Sequence, residues 1–250
     1  MNNKSLFHLL LTIGFSLSTA TAAFGQISVS SQQESAATNI AESLTKRQQA
    51  IVPIASFAAV GDMIKLEAAI RQGLDAGLTI NDIKEVLVQL YAYAGFPRSL
   101  NALGVLMRVV EDRQQRGIQD EIGKSPRQAI PKGDELLAVG TANQTALIAS
   151  PVSGPLFDFA PAIDEYLKTH LFGDIFSRDN FSWFDREIAT IAVLAALSGV
   201  ESQLQSHIHI GSNAGLTERQ LIQLAQVLSE HVSADAAGRT RAAISQHFKQ

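Results

Sequence analysis

The sequence predicts an all-α fold, and three observations carry that expectation. Two long apolar stretches rich in Ala and Leu, "EVLVQLYAYAGF" and "EIATIAVLAALSGV", exceed the usual length of a strand and fit buried helices. A third stretch, "RSLNALGVLMRVVEDRQQ", is amphipathic and ends in charge. Nowhere does the sequence alternate apolar and polar residues convincingly, as a half-buried strand would. Apolar residues make up 46% of the 250, enough for a sizeable core. The formal net charge of −4, with basic residues scattered, gives no reason to expect nucleic acid or an anionic membrane as partner.

The chain divides in order. Residues 1–25 have the form of a signal peptide: Lys4 supplies a positive start, Leu6 to Leu17 is an apolar run, and small residues follow. Ala20-Thr21-Ala22 and Ala23-Phe24-Gly25 both fit the small-x-small cleavage pattern, so export to a periplasm or beyond is expected. Residues 26–45, rich in Ser, Gln and Ala, read as a flexible leader. A first helical unit spans 46–115 and a second 136–250, joined by a linker at 116–135 that holds Gly117, Gly123, Pro126 and Pro131. Inside the second unit "SPVSGPLF" marks a break, and "APAIDEYLKTHLF" resumes as helix with Pro161 in its first turn. Cysteine is absent, which removes disulfides, thiolate metal sites and thiol-based mechanisms.

The two units repeat a pattern. Leu66, Ile70, Gly73, Ala76, Gly77, Leu78 and Thr79 recur as Leu204, Ile208, Gly211, Ala214, Gly215, Leu216 and Thr217, at a constant offset (204 − 66 = 138). Leu and Ile four apart hold one helix face on a core. Gly77 and Gly215 stand where a helix ends in the left-handed conformation, and Thr79 and Thr217 start the next helix, with Asp82 and Gln220 at capping-box spacing. Each unit therefore contains a helix, a tight turn and a helix, and the matched spacing suggests an internal duplication folded as a pseudo-dimer.

His207 and His209 are two residues apart, about 200° of helical rotation, so they cannot grip one metal ion together. His207 lies at the border of the apolar stripe, and His209 falls farther round, toward solvent. Ser182 and Asp185 at capping-box spacing put Glu187 in the first turn or so of a nearly wholly apolar helix. A carboxylate buried there needs a partner, an arginine or a histidine, and His207 on the following helix is available.

With these residues in place, "HLFGDIFSRDNFSWFDREIATIAVLAALSGVESQLQSHIHIGSNAGLTERQL" resembles the carboxymuconolactone decarboxylase family, which includes the alkyl hydroperoxidase D-like proteins. The features that carry the likeness are Phe172-Gly173-Asp174-Ile175-Phe176, Arg178, Arg186-Glu187, the helix with His207 and the Gly215-Leu216-Thr217 turn. The first unit resembles the family's pattern after that turn, with Tyr93, Gly95 and Pro97. The two cysteines of the hydroperoxidase branch are replaced by Val200 and Gln203, so its peroxidase chemistry is not open to this chain. Gln89 stands where the decarboxylase branch often has histidine, and Ala69 stands at the first unit's counterpart of His207.

The resemblance implies a cofactor-free lyase acting on a small carboxylated lactone or related cyclic acid. His207 would be the proton donor, oriented by Glu187. Arg98 and Arg186 would hold a carboxylate or lactone oxygen, and Tyr93 would donate a hydrogen bond, with Gln89 beside it. No metal is implied, and the family suggests a homo-oligomer, three chains in a ring. A non-catalytic helical binding or assembly protein is the alternative, and a filled core around Glu187 and His207 would be its signature.

Overall fold

The computed structural model describes residues 43–249. The expected signal peptide at 1–25, and all but the last three residues of the leader at 26–45, lie outside the described residues. Thr45, the last of them, is the N-cap of the first helix.

The described residues form helices and no strand. In chain order they are α1 (Lys46–Val60), α2 (Met63–Asp75), α3 (Ile80–Gln89), α4 (Tyr91–Ala94), α5 (Phe96–Gln115), α6 (Asp134–Ile148), α7 (Pro155–Phe159), α8 (Pro161–Tyr166), a π-helix (Leu167–Ile175), α9 (Trp183–Ala196), α10 (Glu201–Asn213), α11 (Glu218–His231) and α12 (Ala234–His247). The all-α expectation holds. Two details differ from it. The segment "EVLVQLYAYAGF" is divided at Leu90 into α3 and α4, and "GPLF" adds a short helical turn begun by Pro155, whose fixed φ suits the first helical position.

Helices α1 and α9 run side by side in the same direction: Arg47 reaches Asp185 at one end, and farther along the Ser56 hydroxyl donates to the Ala192 carbonyl at 3.1 Å. From Ala50 and Ile188 onward each is almost wholly apolar, and together they form the centre of the main core. Each is followed by its helical hairpin, α2–α3 after α1 and α10–α11 after α9.

The two hairpins are built alike. Gly77 and Gly215 have φ of 92° and 105°, and the amides of Leu78 and Leu216 donate 2.9 Å bonds to the carbonyls of Gly73 and Gly211. Thr79–Asp82 and Thr217–Gln220 both close complete capping boxes. Gly73 and Gly211 explain their recurrence by contact. A Cβ on Gly73 would stand 2.7 Å from Ile54, and one on Gly211 3.1 Å from Ile191, so each glycine lets its hairpin press on α1 or α9. Those neighbours are 137 apart, as are the N-caps Thr45 and Ser182; one extra residue in 198–200, relative to 61–62, raises the offset to 138.

The linker runs without helix from 117 to 133 and is pinned rather than loose. The amides of Ile80 and Asn81 donate to the carbonyls of Glu121 and Ile122, and Arg113 clamps Asp120 through two nitrogens. Beyond it, α6 packs on the π-helix through Gly140 and Gly173, and a second apolar cluster of Leu147, Leu171, Phe172, Phe176 and Ile210 gathers Tyr91, Tyr93 and Trp183 around it.

Candidate functional site

Ser182 caps α9 by accepting from the Asp185 amide, as its spacing predicts. The reciprocal half of the box is replaced: Asp185 turns instead to Arg47 at 2.9 Å and to Gln48 at 3.2 Å. Glu187 follows in the same turn and is fully buried. His207 lies on α10, its side chain only 10% exposed, and its Nδ1 is 2.8 Å from Glu187 Oε2. The two residues that spacing placed near one another are thus one buried dyad. Its geometry fixes the tautomer's consequence: with Nδ1–H donated to the carboxylate, Nε2 is the nitrogen left for other chemistry. The second carboxylate oxygen, Glu187 Oε1, is buried without a hydrogen-bond partner. His209 points away to the exposed face, next to His247 and Asn213.

The first half of the chain supplies the rest. Tyr93 packs the edge of its ring against His207, with centroids 5.6 Å apart and planes at 80°. Burial, together with the adjacent Glu187 carboxylate, pushes the Tyr93 phenol well above its ordinary pKa, so it stays a neutral hydroxyl. That hydroxyl lies 3.4 Å from the Thr190 hydroxyl. Gln89 is buried behind it and donates through Nε2 to Thr190 Oγ1 at 2.7 Å and to the Arg186 carbonyl at 3.0 Å.

Arg186, expected to hold a ligand's carboxylate, is turned inward and is fully buried. It donates to Gln89 Oε1 at 3.2 Å and to Glu85 Oε2 at 3.0 Å, and its guanidinium lies over the rings of Phe181 and Phe176. Burial lowers its pKa, and Glu85 opposes that shift. Glu85 is the acceptor for two guanidiniums, Arg178 and Arg186, and for the Asn180 amide. Burial would raise its pKa, yet those three donors prevail and hold it at about 2. Arg98 is not brought to this site by any contact; it is exposed, and its guanidinium lies against Gly61 at the end of α1.

Two participants had weak sequence signals. Thr190 follows Glu187 by one turn and so shares its face, a helical spacing that the apolar run around it obscures. Glu85 reads as an ordinary charge on an amphipathic helix, and nothing local marks it as the partner of an arginine 101 residues away. Among the described residues, surface clefts of 240 to 440 Å³ lie at several places away from the dyad, with neither Glu187 nor His207 in their walls.

Residues 33–107 match the model of the carboxymuconolactone decarboxylase family. That stretch contains Gln89, Tyr93 and Arg98, and ends before Glu187 and His207. A search of the curated proteins finds no match. With the offsets of 137 and 138, the first-half positions corresponding to the dyad are Ala50 (187 − 137) and Ala69 (207 − 138).

Proposed function

We propose, from the match of residues 33–107 to the model of the carboxymuconolactone decarboxylase family, that this chain is a cofactor-free carboxy-lyase acting on a small carboxylated lactone or related cyclic acid. The observation that supports it is the 2.8 Å contact between His207 and a fully buried Glu187, with Tyr93 edge-on to the imidazole. The substrate is its own electron sink. As the bond to the carboxylate breaks and CO2 leaves, the electron pair moves toward the lactone carbonyl, and a proton must reach carbon. His207 Nε2 would deliver that proton, while Glu187 holds the ring through Nδ1 and stabilises the imidazolium before transfer. Tyr93, kept neutral by burial, would donate to the oxygen on which charge develops.

A second reading is favoured by one observation. Glu187 is fully buried and the His207 side chain is only 10% exposed, as expected if the helices serve binding or assembly and the pair is part of a filled interior. The experiment that separates the two is decarboxylation of 4-carboxymuconolactone by the purified protein and by His207→Gln, followed as loss of substrate absorbance. Turnover that the variant loses supports the lyase and its proton donor. Equal turnover by both removes His207 from the mechanism, and no turnover by either removes this substrate and favours the second reading.

A further inference from the structure

A cleft of about 330 Å³ at the amino end of α9 combines features that the dyad does not use. Phe176, Phe181 and Trp183 give it aromatic walls, and Ser177 and Arg178 give it donors. Arg178 is 29% exposed and spends Nε and Nη2 on Glu85, so Nη1 makes no hydrogen bond among the described residues. The Ser177 hydroxyl accepts from Asn143 Nδ2 at 3.0 Å, which leaves its own proton to be donated elsewhere. Behind the wall, fully buried Arg186 lies over the same Phe176 and Phe181 rings, and its Nε is buried without a partner. Around the cleft Arg178 and Arg186 pair with Glu85, Arg127 with Asp179, and Arg47, over the Phe181 ring, with Asp82 and Asp185, so the charges balance and Arg178 Nη1 is the cationic donor left to the cleft. The first turn of α9 adds the positive end of a 14-residue helix.

We propose that this cleft binds a small planar organic anion, a cyclic carboxylate whose ring lies among Trp183, Phe181 and Phe176 and whose oxygens take hydrogen bonds from Arg178 Nη1 and Ser177. A planar guanidinium edge is suited to a carboxylate, and a cleft of this volume suits a ligand of one ring. Phosphate or sulfate would satisfy the donors and leave the partly exposed Trp183 ring unused. The binding claim does not rest on the proton-transfer reading.

Trp183 is the chain's single tryptophan, so the cleft contains its own reporter. The test is titration of the intact protein with benzoate and with its neutral isostere benzamide at neutral pH, following tryptophan fluorescence. Benzoate is expected to give a saturable change and benzamide none over the same range. Ser177→Ala should weaken benzoate by about tenfold, the loss of one hydrogen bond to a charged group. Arg178→Gln also strips a donor from Glu85 and can unfold the protein, so the decisive variant is Ser177→Asp. It places a carboxylate at the cleft without touching Glu85, and should abolish benzoate binding with the circular dichroism spectrum unchanged. His207→Gln should bind benzoate as the parent does. The proposal is overturned if benzoate gives no saturable change, if benzamide matches it, if Ser177→Asp still binds, or if His207→Gln loses binding, which would put the ligand at the dyad.

Discussion

Replacing Glu85 with glutamine isolates the energetic weight of the buried guanidinium of Arg186. The Glu85 carboxyl is displaced from 4.5 to about 2: burial acts to raise it, and the hydrogen bonds from Arg178, Asn180 and Arg186 overcome that effect. At ~1.4 kcal/mol per unit the displacement corresponds to about 3 kcal/mol, and about 2 kcal/mol once solvent reaching the pair through partly exposed Arg178 is allowed for. The sign follows from proton binding. Between pH 4.5 and about 2 the unfolded chain binds a proton here that the folded chain excludes. The contribution is therefore fully present above pH 4.5 and is lost as the pH falls to about 2. Glu85→Gln also leaves Arg186 buried without a carboxylate, which costs about 3 kcal/mol or more at pH 7. In a chain of this size that lowers Tm by roughly 6–12 °C. The assay is urea unfolding of parent and variant, followed by circular dichroism, at a series of pH values from 7 to 2.5. Other carboxylates titrate in both proteins and cancel in the difference. That difference should be constant above about pH 5 and shrink by about 2 kcal/mol toward the acid end. A variant as stable as the parent at pH 7, or a difference that does not change with pH, would refute the reasoning.

Three further outcomes are expected. Gly140→Ala should destabilise by about 2 kcal/mol or more in thermal unfolding, because its Cβ would stand 1.7 Å from the Lys168 carbonyl oxygen and 3.0 Å from the Gly173 amide, and backbone cannot yield as a side chain can. Thr79→Ala and Thr217→Ala should each cost about 1 kcal/mol, and by similar amounts, since each breaks the same capping box. At the dyad, Glu187→Met and His207→Phe should each lower stability, and the double substitution should recover what the singles lose, to within about 1 kcal/mol of the parent or above it, as measured by a double-mutant cycle in urea.

Much of this architecture was legible because it rests on local rules. The all-α class followed from the length and period of the apolar stretches. The two turns followed from Gly77 and Gly215, whose positive φ few other residues accept. The dyad was readable because a carboxylate at the head of an apolar helix demands a partner, and the repeat placed His207 on the adjacent helix. The Arg186 network was not readable. Glu85, Gln89 and Arg186 meet only because α3 of one half crosses the start of α9 of the other, and no local pattern encodes that meeting. Likewise the π-helix at Leu167–Ile175 has the composition of an ordinary helix, and its widened turns appear only where it packs on Gly140 of α6.

The pair Glu187–His207 poses the question on which the two functional readings divide: whether the fold needs it. The first half answers in part. There α1 and α2 pack with the same hairpin glycine and the same close approach to an isoleucine, yet the corresponding positions hold Ala50 and Ala69. The arrangement is therefore compatible with small apolar residues at both places. In the second half the polar pair leaves one carboxylate oxygen buried and unpartnered, an arrangement that lowers stability rather than raising it. A group kept at such a cost is a candidate for chemistry. The double-mutant cycle turns this into a measurement. Recovery of stability in the apolar double variant means that the pair is held for a reason other than folding, which weighs for the acid–base site. A double variant less stable than either single means that the pair specifies the packing of α9 on α10, and the binding or assembly reading then takes precedence.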